Sequence, residues 1–109
     1  MALKPLDSKA AQQCIVLSKL LLELAQKEEW QRFEALLAKR DRLLKPIVTQ
    51  DYAASDADAV RGMVGQIQAL DKQTQSLVET NKHRALESLR GDATKKKAVS
   101  AYQKAQRRY

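Results

Sequence analysis

The 109-residue sequence has a single cysteine, a single histidine, three glycines, two prolines and only 5% aromatic residues. Cys14 alone forms no internal disulfide, and Cys14 with His83 falls short of a four-ligand zinc site. Neither staple of small secreted domains is available, so the fold must rest on its core. The scarcity of Gly (62, 65, 91) and Pro (5, 46), with few β-branched residues and abundant Ala, Leu, Lys, Gln, Glu and Arg, favours long helices over short strands. No apolar run reaches the about 18 residues of a membrane-span candidate, and the most apolar stretch, Cys14 to Leu24, is interrupted by Ser18, Lys19 and Glu23. Met1 to Leu6 lacks the tripartite pattern of a secretory signal. No nucleophile sits in a glycine-bounded turn and no glycine-rich loop cradles a phosphate, so no catalytic residue, cofactor or enzymatic activity is expected. A cytoplasmic, all-α, single-domain protein follows, since this length supports one modest core.

The apolar pattern divides the chain. Asp7 or Ser8 can cap a first helix over 8–26, in which Cys14, Leu17, Leu21 and Leu24 recur at helical spacing. Continuing that stripe would land on Glu28 and Gln31, whereas the next apolar residues are Trp30 and Phe33. The slip in phase predicts a break near Gln26. A second helix over 28–45 carries Trp30, Phe33, Leu36, Leu37, Leu43 and Leu44, its stripe interrupted by Arg40. Pro46 should end or kink it, leaving Thr49 to Ala54 as a loop. Ser55 and Asp58 resemble a capping box at the start of a third helix over 56–90, about 50 Å long and closed by Gly91. Its stripe runs through Val60, Ile67, Leu70, Thr74, Leu77 or Val78, and Asn81. A short, weakly docked helix over 94–105 ends the pattern, with little to bury except Val99 and Tyr102. The expected architecture is an antiparallel bundle of three main helices plus that C-terminal helix.

Candidate chemistry is sparse. Glu79, His83 and Glu87 share one helical face, where an exposed polar face is the ordinary reading and a metal would need ligands from elsewhere; no metal site is expected. Cys14 lies in an apolar stripe and reads as a small buried hydrophobe. Trp30 and Phe33, one turn apart, read as core, with an exposed anchor for a partner helix as the alternative. Thr74 and Asn81 either fix packing register or mark where the third helix becomes a binding face.

Charge is uneven. Residues 1–91 carry a net +2 and residues 92–109 a net +5. Lys95 to Lys97, Arg107 and Arg108, with Tyr102 and Tyr109 nearby, could meet an acidic protein, a phosphate backbone or an anionic surface. No helix-turn-helix, zinc-finger or RNA-binding signature accompanies them, so nucleic acid is the weakest of these readings.

Three stretches carry a resemblance: Glu28-Glu29-Trp30-Gln31-Arg32-Phe33-Glu34-Ala35-Leu36-Leu37-Ala38-Lys39-Arg40-Asp41-Arg42-Leu43-Leu44, then Ala69-Leu70-Asp71, then Ala98-Val99-Ser100-Ala101-Tyr102. Together with helix order over residues 8 to 105 they resemble the FliT family of flagellar export chaperones. The resemblance implies a cytoplasmic helical bundle that binds the C-terminal part of the unassembled filament-cap protein, keeps it from assembling early and presents it to the type III flagellar export apparatus. It also implies engagement of the export ATPase complex and, as in enteric bacteria, of the flagellar master transcription regulator. In the family the last helix can fold over a client surface around helices 2 and 3, which here matches Thr94 to Ala105, including Val99 and Tyr102. The apolar groups expected beneath it are Leu37 and Leu44 on helix 2 and Ile67, Leu70, Leu77 and Val78 on helix 3. The basic end, Lys104 to Tyr109, departs from the enteric pattern. Two other readings stay open: a helical regulator that binds nucleic acid through its basic tail, and a coiled-coil adaptor. The stripe on helix 3 could also pair two copies as a homodimer.

Overall fold

The computed structural model describes residues 3–87 together with Lys97, Ser100, Ala101, Tyr102 and Lys104; for 84–87 it describes the backbone alone. Three helices follow in order, α1 (Ser8–Gln26), α2 (Trp30–Thr49) and α3 (Ala54–Glu87), and the described residues after them are helical, with no strand among the described residues. The all-α bundle with a short C-terminal helix is the expected fold class. Gly91 and Val99 lie outside the described residues.

Each helix end has a local cause. The Asp7 carboxylate accepts the Ala10 N–H at 3.0 Å, satisfying one of the backbone donors that the first turn of α1 leaves over. At the other end Glu28 N–H donates to the Ala25 carbonyl and Glu29 N–H to the Leu24 carbonyl, a paired closure that needs a left-handed residue after the helix. Glu28 supplies it at φ 56°, a conformation that glycine adopts more easily. The break at Gln26 thus has a closed backbone motif behind it as well as a slip in hydrophobic phase.

The expected end of α2 at Pro46 is corrected, because the helix runs on through Pro46 to Thr49. Proline removes one donor near the end of a helix, and here packing outweighs that loss. Ile47, one residue on, is buried in a cluster with Ala11, Cys14, Leu44, Met63 and Ile67, while the Thr49 hydroxyl donates to the Lys45 carbonyl at 2.8 Å. The connection to α3 is correspondingly shorter than 49–54. Tyr52 pins it by donating its hydroxyl to the Ile47 carbonyl at 2.7 Å. The α3 start lies two residues ahead of Asp56, so Ser55 falls inside the first turn and does not cap. Asp58 instead pairs with Arg61, and the Asp56 carboxylate accepts the Leu6 N–H at 3.4 Å.

The helices run up, down and up. α1 packs along both α2 and α3, whereas the α2 and α3 backbones hardly approach one another. One apolar cluster fills the end near the α2–α3 connection. The other, at the α1–α2 turn, contains Leu21, Ala25, Trp30, Phe33, Leu37, Val78 and Tyr102. Between them the stripe of α3 turns polar at Asp71 and Thr74, and both are buried.

Candidate partner-binding groove

Among the described helices, α2 and α3 face each other across a seam without the close backbone packing that each makes with α1. The seam is bridged by side chains. Arg40, which breaks the apolar stripe of α2, is fully buried at 0% exposure. Its Nη1 donates to the Asp71 carboxylate of α3 at 2.6 Å and to the Ser18 hydroxyl of α1 at 3.3 Å, and its Nη2 lies 3.3 Å from Asp41. Ser18 in turn donates to the Cys14 carbonyl at 2.9 Å. One guanidinium therefore ties all three helices together. Removing either charge would leave the other buried, a change that costs about 3–5 kcal/mol in comparable sites.

Over that bridge sits Tyr102, 1% exposed, from the C-terminal segment. Its hydroxyl donates to the backbone carbonyl of Asp71. Its ring lies 5.8 Å from that of Phe33, which in turn meets Trp30 edge-on at 5.4 Å. Beyond this plug, Lys97 Nζ makes an ion pair with Glu34 at 3.3 Å, at the surface, where such pairs add little. Beside the segment an open cleft of about 660 Å³ separates α2 from Ala101 and Lys104, with Glu34, Leu37, Asp41 and Lys45 on the α2 side.

The expected partner-binding residues fall into three groups. Leu37 and Val78 are buried in the same cluster as Tyr102, and Leu77 packs partly buried against it. Leu70 is half-buried on α3, one residue before Asp71. Leu44 and Ile67 belong to the other cluster, with Cys14, Ile47 and Met63. Trp30 and Phe33 are core residues that also form the wall of the plugged seam. Thr74 and Asn81 are buried; the Thr74 hydroxyl donates to the Leu70 carbonyl at 3.1 Å and the Asn81 Nδ2 to the Leu77 carbonyl at 2.9 Å, while Asn81 Oδ1 has no hydrogen-bond partner among the described residues.

Elsewhere the chemistry is quiet. Cys14 is fully buried, and desolvation pushes its thiol up from the ordinary range, opposed by the Arg40 guanidinium and assisted by the Asp41 carboxylate. Glu79 and His83 are exposed, and no group of ligands for a metal occurs among the described residues. No helix among them is long and apolar enough to cross a membrane.

The role of Arg40 and Asp71 escapes the sequence reading, because an isolated charge in an apolar stripe looks like an interruption until its partner is seen. The available signal was the matching fault in α3, where Asp71 and Thr74 interrupt that stripe as well.

Three long helices with a seam covered by one aromatic residue of the chain's own C-terminal segment define a small all-α helical bundle. Residues 8–104 match the family model described as Flagellar protein FliT. The chain belongs to the FliT family, a family of flagellar export chaperones. No curated protein and no solved structure matches it.

Proposed function

We propose that this protein is a cytoplasmic chaperone that binds the C-terminal region of the filament-cap protein, prevents its premature assembly and delivers it to the flagellar type III export apparatus. The observation that carries this reading is the seam between α2 and α3, whose backbones stay apart and whose apolar wall is covered by Tyr102. An amphipathic segment of the client replaces Tyr102 there and lays its apolar face on Leu37, Leu77 and Val78, with Leu70 at the edge. Leu44 and Ile67, in the second cluster, support the walls. The C-terminal segment, with Val99 and Tyr102, regulates access, since a plug held by few groups undocks at low cost. Engagement of the export ATPase complex and control of flagellar genes through the master transcription regulator extend the same reading and rest on the family alone, while pairing into a homodimer would use the apolar stripe of α3.

The test is calorimetric titration of the C-terminal region of the filament-cap protein from the same genome into the intact chain and into a chain ending at Gly91. Binding that tightens on truncation supports both client and gate. Binding that is unchanged or weaker removes the gate, and absence of binding to either form removes the client.

A further inference from the structure

A second groove lies between α1 and α2, on the other side of the core stripe of α2 from Tyr102. Three large apolar side chains are exposed among the described residues, and two of them, Val16 at 44% and Leu20 at 39%, stand one turn apart on this face of α1. Leu20 and Leu24 form one wall of a groove of about 450 Å³, and Ala35 and Leu36 of α2 form the other. An apolar floor with i, i+4 spacing on flanking helices is the shape that accepts the apolar face of a third helix.

The rim says which helix. Lys27, Arg32 and Lys39 line the groove, with Glu23 as its single carboxylate. Arg32 is shared with Glu29 at 3.4 Å, whereas Lys27 and Lys39 have no ion pair among the described residues. A second copy docked through this face by a two-fold axis would bring two basic rims together. The chain's own residues 92–109 are also basic, at net +5, and Tyr102, one of the described residues among them, packs in the cluster on the α2–α3 side. An acidic helix from another protein is the occupant whose charge fits.

We propose that the α1–α2 groove is a second docking site, for an amphipathic helix of a partner protein with leucine-type residues at i, i+4 spacing flanked by aspartate or glutamate. The site opens on the other face of α2 from Tyr102, with Leu24 and Leu36 reaching inward to the shared core, and does not depend on the client reading. A partner held here and a client held at the seam occupy the chaperone together.

The probe is a fluorescein-labelled helical peptide with leucines at i, i+4 and i+7 and glutamates on the flanks, titrated with the full chain by anisotropy. A matched peptide with lysines in place of the glutamates is the control. The acidic peptide should bind. The double variant Lys27→Glu/Lys39→Glu should weaken it tenfold or more and should bind the lysine peptide in its place, while Tyr102→Ala leaves the acidic peptide unchanged. The variant sites are at the surface, and circular dichroism checks their folding. No binding of the acidic peptide, equal binding of both peptides by the native chain, or sensitivity to Tyr102→Ala would each overturn the proposal. So would a dimer in sedimentation that Leu20→Glu dissociates, because the second copy would then be the occupant.

Discussion

Replacing Tyr102 stepwise tests whether one residue holds the C-terminal segment over the seam. The hydroxyl of Tyr102 donates to the Asp71 carbonyl, and a bond of this kind is worth about 1 kcal/mol net, or roughly a factor of five. Burying the ring contributes about 1.5–3 kcal/mol, and its contact with Phe33 adds about 0.5–1.5 kcal/mol. Against these stands the cost of ordering the segment, which leaves docking marginal. If client and segment compete for the seam, apparent affinity equals intrinsic affinity multiplied by the undocked fraction. Tyr102→Phe should then tighten client binding by up to about fivefold, and Tyr102→Ala should tighten it further. The gain has a ceiling, because a chain ending at Gly91 is always undocked and neither substitution can exceed it. Calorimetric titration of the three chains with the filament-cap C-terminal region, alongside melting curves to exclude global unfolding, gives the order native, Phe, Ala, truncated. A Tyr102→Ala chain that binds no tighter than the native one refutes the competition. One that binds tighter than the truncated chain shows that the residue acts by a route other than covering the seam.

The polar bridge predicts strong coupling: Arg40→Met and Asp71→Leu should each cost about 3–5 kcal/mol in urea unfolding, while the double variant costs less than their sum by 2 kcal/mol or more. Additive losses would mean that the pair, 2.6 Å apart, does not act as a unit. Glu28 holds a left-handed conformation at φ 56°, so Glu28→Gly should raise stability by about 1 kcal/mol, seen as a higher melting temperature; a fall would show that the glutamate side chain matters more than the backbone. Burial raises the Cys14 thiol, so the native state holds that proton more tightly than the unfolded chain. This contribution is intact below the unfolded thiol's titration and is lost as pH rises through the native one. Unfolding at neutral pH and near about pH 10 should therefore show a smaller alkaline loss in Cys14→Ala than in the native chain, and equal losses would refute the assignment.

What could be read from the sequence was whatever depends on neighbours along the chain. Asp7 as a cap, the stripe of α1 and the break at Gln26 are local events, set by spacing and by charges a few residues apart. Pro46 shows where such rules fail, since the local argument for ending α2 is sound but Ile47 gains enough from packing on α1 and α3 to carry the helix past it. Ser55 and Asp58 fail in the opposite way: the side chains fit a capping box, yet Ala57 N–H finds the Ala53 carbonyl at 2.8 Å and the helix begins earlier. The candidate groove was partly legible. Helical periodicity put Leu37, Leu77 and Val78 on inward faces and named Tyr102 as what the last segment could bury. It could not separate these from Leu44 and Ile67, because a stripe gives the face of a helix and says nothing of the level at which the other helices cross it. The Arg40–Asp71 pair was illegible for a related reason, as residues 31 apart in sequence meet only once α1 has brought α2 and α3 to either side of itself.

That central position of α1 explains why an ion pair stands where leucines would be expected. If the facing positions of α2 and α3 were apolar along their whole length, the two helices would zip together and leave no surface between them. Arginine is long and ends in a planar fork, so it reaches a carboxylate across a gap that two aliphatic side chains would close by pulling the helices inward. Ser18 and Asp41 take up further donors of the same guanidinium, which helps to hold the bridge at that separation. The pair therefore acts as a spacer as well as a tie. It leaves a width that an aromatic ring from the chain's own end fills, and the same width suits the apolar side chains of an incoming helix. Because the Arg40–Asp71 bond does not pass through Tyr102, the seam keeps its polar floor when the ring leaves, and exchange of one occupant for another does not require the bundle to be rebuilt.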